Sequence, residues 1–350
     1  MGPMTESSLP ATIEDEAHLE ELLSHPSAAD VAFARTLSDD VLVLGAGGKM
    51  GPSLTRRVRR ALDAAGVNRR VLAVSRFSEP GLAPALERDG IETVSCDLLD
   101  PAQVERLPPA LNVLYLAGRK FGSTDRPDLT WAHNSVVPAQ VARRFAGARI
   151  VVFSSGNVYP PVGPSVAGST EADAPGPVGE YAWSCLGRER VFEYFSRERK
   201  TACLLFRLFY AVDLRYGTLV DVARRVFEGE PVDLQVSRVN AIWQGDANSY
   251  AFRSLALCAT PPPPLVVTGP TPVSVRGTAK RFGRIFGRPP RFTGEEGLQA
   301  LLGNPSLCVS RLGPPEVSLD RLIEWTAAWV VRGGRSLGKP THFEATDGRF

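Results

Sequence analysis

From Val41 onward the chain alternates short apolar runs with stretches that repeat at helical spacing. The runs are Val41–Gly45, Val71–Ser75, Thr93–Cys96, Val113–Ala117, Ile150–Ser154, Cys203–Phe206 and Leu265–Thr268. A run that stays apolar, instead of alternating with polar positions, is buried on both faces, as in a parallel sheet covered by helices. Leu54–Ala65 and Pro138–Phe145, which lie between such runs, carry the helical period. The early runs are separated by roughly 20–30 residues, a length that suits right-handed βαβ units.

The flanks differ. Residues 1–38 predict a helical extension, with Leu19, Leu22, Leu23 and then Val31, Phe33, Ala34, Leu37 on either side of a break at Pro26. Further helices are predicted over Gly217–Phe227, Ala247–Cys258, Val273–Phe286 and Leu319–Val331, the second of these stopped by Pro261–Pro264. The fold class is therefore α/β: a Rossmann-type doubly wound parallel sheet with a smaller C-terminal substrate-binding lobe. The expected division is an N-terminal helical extension (1–38) and an NAD(P)-binding domain over 39–215, completed by about 236–268. Residues 216–235 and 269–332 are expected to form the substrate-binding lobe, and 333–350 a tail without clear periodicity.

Composition narrows the function classes. Apolar residues at 43% and charged residues at 22% are ordinary for a folded chain and exclude a wholly disordered one. A net charge of +2 lacks the basic excess of a nucleic-acid binder. The arginines at 56, 57, 59 and 60 read as the solvated face of the first Rossmann helix. No apolar stretch is long enough for a membrane span, and the acidic N-terminus is unlike a signal peptide. The five cysteines form no CxxC pair, and His18, His25 and His342 are scattered, so no metal is expected. The expected location is cytoplasmic.

The sharpest motif is Gly45-Ala46-Gly47-Gly48-Lys49-Met50-Gly51, between the first strand and the first helix. Gly45 permits a tight turn, Gly48 or Gly47 lets the backbone approach a pyrophosphate, and Gly51 lets helix and strand pack closely. Phosphates would meet free N–H groups at the positive end of the helix dipole. The second strand ends Ser75-Arg76 where an NAD site carries an acid for the ribose 2′-hydroxyl. A hydroxyl and a guanidinium suit a 2′-phosphate instead, so NADP is expected over NAD.

With these motifs the chain resembles the extended short-chain dehydrogenase/reductases, the NAD-dependent epimerase/dehydratase group, from about Asp40 to Trp329. Gly45, Gly48 and Gly51 match its GxxGxxG, and Asp97-Leu98 match the pair that contacts adenine. Leu116-Ala117-Gly118-Arg119-Lys120 is similar to the cofactor-lining segment after the fourth strand, and Asn134 to the helix asparagine. Phe153-Ser154-Ser155-Gly156-Asn157-Val158-Tyr159 resembles SSxxVYG, Tyr181 to Glu189 resembles YxxSKxxxE, and Arg207-Leu208-Phe209 resembles R-x-F. The resemblance implies NAD(P)-dependent hydride transfer at a carbinol or carbonyl carbon of a sugar-like or polyol-like molecule, by an oxidoreductase or epimerase. Tyr181 would be the acid/base and Ser155 would bind the same substrate oxygen. Phe209 would line the cofactor, Asn157 and Tyr210 the substrate. The likeness also implies a homodimer through the helices near 131–146 and 181–196.

Three positions depart from the group. Cys185 stands where the lysine that lowers the tyrosine's pKa belongs. Either Arg188 or Lys120 supplies the missing charge, or Cys185 takes a chemical part, or the redox chemistry is lost and the protein is a non-catalytic NAD(P)-binding regulator or sensor. Gly156 and Asn157 replace the acid pair of the 4,6-dehydratases, which excludes that elimination. Tyr210 replaces an asparagine of the epimerases, which counts against a nucleotide-sugar substrate. Outside the motifs, Asp246 reads as an N-cap and His133 as a packed or surface residue.

Overall fold

The computed structural model describes residues 9–120, 122–339, 341, 343, 344 and 348. All seven apolar runs are strands of one seven-stranded sheet: β1 (Val41–Leu44), β2 (Val71–Ser75), β3 (Glu92–Ser95), β4 (Asn112–Tyr115), β5 (Arg149–Ser155), β6 (Ala202–Leu208) and a last strand, Pro264–Val267. The spatial order is the last strand, then β6, β5, β4, β1, β2 and β3, and every pairing is parallel. Val41 and Val43 enter one apolar layer and Leu42 and Leu44 the other, so the continuous runs reflect helices packed on both faces. Strand order reverses between β1 and β4, which pair Leu44 with Tyr115. A sheet of this kind opens a crevice at that switch point, beyond the carboxyl ends of its strands.

The first helices are α1 (Glu16–Ser24), capped by the Asp15 carboxylate, and α2 (Ala28–Ala34), opened by a Ser27–Asp30 capping box. The Pro26 break lies between them. This extension is bolted to the rest of the chain: Leu9, Ile13, Leu19 and Leu23 belong to the same apolar core as Leu219, Val226, Phe282 and Trp329. Arg57, read from sequence as solvated, is instead fully buried against the Asp30 carboxylate at 2.7 Å. Its acidic partner lies in another helix, where the periodicity of α3 (Gly51–Ala65) carries no sign of it.

Two other expectations shift. The helix expected over 273–286 begins only at Val275, because Ser274 caps it and Val273–Ser274 pairs as a short strand with Arg238–Val239. Asp246 is not an N-cap. It lies inside the helix Gln244–Arg253, and its buried carboxylate accepts from the backbone N–H groups of Glu316 and Val317, both at 3.1 Å. Among the described residues no helix is long and apolar enough to cross a membrane.

Candidate functional site

The turn after β1 is shaped by its glycines. Gly45 has φ +89°, and a Cβ there would sit 2.7 Å from the Ala117 amide nitrogen across the switch point. A Cβ on Gly51 would collide with the Ala46 carbonyl, so only glycine lets α3 start this close to the strand. No side chain caps α3, which leaves its N-terminal amides facing the crevice.

Two cavities meet over this turn and share Gly45, Gly48 and Leu116 as walls. One, of about 220 Å³, is lined by Gly47, Ser75, Arg76, Asp97, Leu98, Ala117, Gly118 and His133. The other, of about 290 Å³, is lined by Lys49, Met50, Gly51, Lys120, Phe153, Ser155, Asn157, Tyr181, Phe209, Tyr210, Tyr216 and Thr341, among others. An uncapped helix end between two cavities fits a dinucleotide: the glycine turn and the α3 amides would hold its pyrophosphate, the smaller cavity its adenosine and the larger its nicotinamide. Among the described residues no cluster of His, Cys, Asp or Glu side chains is arranged for a metal ion.

The candidate catalytic residues divide into two groups. Ser155 and Tyr181 line the larger cavity. Ser155 ends β5, donates its hydroxyl to the Asn157 side-chain oxygen at 2.8 Å, and is hydrogen-bonded to Tyr181. Burial and the adjoining Cys185 raise the phenol well above its ordinary pKa, while Arg188 and Ser155 act in the opposite direction. Cys185 and Arg188 are not on the cavity wall. Cys185 is fully buried, its thiol in hydrogen-bonding contact with the Tyr181 hydroxyl.

Arg188, one turn further along the helix Gly179–Arg199, turns its guanidinium under the wall. It donates to the Phe153 carbonyl at 2.7 Å and to the Asn134 side-chain oxygen at 2.5 Å. Space for it exists because residue 118 is glycine; a Cβ there would overlap the guanidinium. Asn134 likewise stands behind the wall rather than in the crevice: its side-chain oxygen accepts from the Arg119 amide at 3.0 Å, and its amide nitrogen donates to Ser184 at 2.8 Å. It sits in a π-turn over Ala132–Val136, a local irregularity common at functional sites and not signalled by the sequence period.

A second buried network joins the elements that carry Ser155 and Tyr181. Glu189 accepts from Ser154 at 2.6 Å and takes a two-pronged ion pair from Arg207, which also donates to the Tyr159 hydroxyl at 2.6 Å. This ties β5, β6 and the helix bearing Tyr181 to one another.

Lys120 enters from the opposite side. Its ammonium lies 5.8 Å from the centre of the Tyr181 ring and donates to the Thr341 carbonyl at 3.4 Å. Burial pushes its pKa down to about 8. Lys49 is on the phosphate turn, yet its side chain points at the other wall, donating to the Ala211 carbonyl at 3.1 Å and lying 4.1 Å from the centre of the Tyr216 ring. Its pKa is also pushed down to about 8, first by burial and then by the positive charges of Arg215 and Lys120, while Asp213 acts in the opposite direction.

Tyr216 and Thr218 line the same cavity without any motif that marks them in the sequence. Thr341 comes from the aperiodic tail and is pinned to Asp221, which accepts from its amide at 3.0 Å and its hydroxyl at 2.6 Å. His342 lies outside the described residues. Tyr210, expected to line the substrate, does line the cavity, with an uncommon φ of +30°.

Residues 41–225, more than half of the chain, match the NAD dependent epimerase/dehydratase family. No curated protein matches the sequence. Among solved structures, UDP-glucose 4-epimerase from Thermotoga maritima with UDP-glucose superposes with a TM-score of 0.68 at 17% identity, covering 84% of this chain and 99% of its own. An epimerase from Methanothermobacter thermautotrophicus gives 0.69 at 19% identity, over 88% and 97%. UDP-glucose 4-epimerase from Thermus thermophilus in complex with NAD gives 0.66 at 19% identity, over 82% and 97%. At such identities the likeness is one of fold.

Proposed function

The chain belongs to the NAD-dependent epimerase/dehydratase family and is an enzyme of the extended short-chain dehydrogenase/reductase type, and on that premise we propose that it moves a hydride reversibly at a carbinol carbon of a small sugar-like or polyol-like molecule. The observation that carries this reading is the meeting of the Ser155 and Tyr181 hydroxyls in a cavity continuous with the glycine turn. When bound, the nicotinamide ring supplies the hydride acceptor or donor. Tyr181 holds and accepts the proton of the substrate hydroxyl, and Ser155 donates a hydrogen bond to the same oxygen. Arg188 stands in for the family lysine: its buried charge acts on Tyr181 from below and favours the phenolate.

Ser75 and Arg76, both on the wall of the adenosine-side cavity, support NADP as the coenzyme. Residues 216–235 and 269–332 serve as the substrate-binding lobe. The homodimer would form on the exposed Trp131, Val136, Trp183 and Tyr194, which sit on the two adjoining helical segments. Releasing any retained dinucleotide by denaturation and titrating the refolded protein with NADPH and NADH by fluorescence tests the reading. Saturable binding that places the reduced ring in contact with Tyr181 is expected, and absence of binding to either coenzyme would end it.

A further inference from the structure

Lys49 and Lys120 have no part in the proton transfer described above, yet both reach into the cavity that holds it. They come from different elements, the phosphate turn and the segment after β4. Lys49 meets a carbonyl and a ring face; Asp213 favours its charge, and Arg215 and then Lys120 disfavour it. Asp221 faces both lysines and Asp213 faces Lys49, yet two ammonium groups on one chamber wall still favour a further anion beside them. Thr341 is also on the wall; Lys120 donates to its carbonyl and Asp221 holds its side chain. The chamber, about 290 Å³, lies at the small end of ligand sites and must also admit a nicotinamide ring.

We infer that Lys49 and Lys120 form a seat for the anionic group of a compact hydroxylated substrate, a carboxylate or a phosphate monoester, a few bonds from the carbon whose hydroxyl faces Ser155 and Tyr181. The inference rests on the proposed role of that hydroxyl pair. The closeness of anion and reacting carbon follows from the 5.8 Å between the Lys120 ammonium and the Tyr181 ring. Lysine is a point charge that suits either anion, whereas a bidentate fork would have required arginine, and among the described residues no arginine lines the chamber. Lys49 thereby departs from its expected place among coenzyme contacts: its backbone stays on the phosphate turn and its ammonium serves the substrate.

The test uses the full chain and measures two bindings separately: NADPH and NADH by fluorescence, and D-glucuronate, D-glucose 6-phosphate, D-glucose and UDP-glucose by calorimetry, with and without coenzyme. D-glucuronate or D-glucose 6-phosphate is expected to bind at least tenfold more tightly than D-glucose, the better of the two identifying the anion. Lys49→Met and Lys120→Met should each weaken that anion at least tenfold. Lys49→Met should leave NADH affinity within twofold, and Lys49→Arg should recover most of the anion affinity. Equal affinity for D-glucose and both anions, or no binding of either anion at millimolar concentration, overturns the inference. So does a UDP-glucose affinity that exceeds both and is insensitive to Lys49→Met. If neither NADPH nor NADH binds while the anion preference persists, the hydride-transfer reading falls and the seat stands. If NADH binds and charge makes no difference, the reverse holds.

Discussion

Arg188 and Asn134 meet at 2.5 Å behind the wall on which Tyr181 sits, the guanidinium donating to the amide oxygen. In the proposed mechanism Arg188 serves as a positioning charge for the phenol, three residues beyond the vacated lysine place at Cys185. Arg188→Met should lower kcat roughly 100-fold or more and raise the pKa of the basic form in the pH–rate profile, with NADH affinity little changed. Loss of its hydrogen bonds should cost about 1–3 kcal/mol of stability. Adding Cys185→Lys to that variant should restore at least about tenfold of the rate, since a lysine one turn from Tyr181 supplies the same charge. A double variant as slow as the single one would show that Arg188 only fills space.

Tyr181→Phe removes the proton acceptor and keeps the ring. Turnover should fall by about two to four orders of magnitude, while coenzyme binding and the melting temperature hold. Normal turnover in this variant would remove Tyr181 from the mechanism.

Arg76 is the exposed cation on the adenosine-side cavity. Arg76→Ala should weaken NADPH about tenfold or more, the worth of a charge-assisted hydrogen bond, and leave NADH within about twofold. Equal losses for both coenzymes would show that it does not read the 2′-phosphate.

The lysine pair gives a pH dependence of defined sign. Lys49 faces Asp213, Arg215, Lys120 and Asp221, and Lys120 faces Cys185 and Asp221. Each lysine loses its charge near pH 8, so affinity for D-glucuronate should be flat below about 7 and fall above 8. The fall is about tenfold per pH unit for each lysine required in its charged form. Calorimetry from pH 6 to 10 measures it; affinity that rises with pH would contradict the assignment.

The sheet was legible because burial on both faces writes an unbroken apolar run into every strand, and the glycine turn because three positions exclude a side chain. Ser155 and Tyr181 were legible through motif order. What escaped depends on partners distant in sequence. The burial of Arg57 needs Asp30 in another helix, and the place of Arg188 needs Gly118 to leave room. Thr341 reaches the cavity only through Asp221. Asp246 reads as a cap until the 316–317 backbone is seen above its carboxylate. The π-turn that sets Asn134 carries no composition signal at all.

The ion pair between Arg57 and Asp30 has a practical corollary for anyone trimming this chain to the segment that matches its family. Starting at residue 41 would strip the carboxylate from a guanidinium with almost no access to water, a loss of about 3–5 kcal/mol when one partner of such a pair is removed, and would bare the apolar seam that Leu19 and Leu23 cover. The shortened protein should be recovered as aggregate, and the Rossmann unit expressed by itself is the wrong reagent for measuring coenzyme affinity.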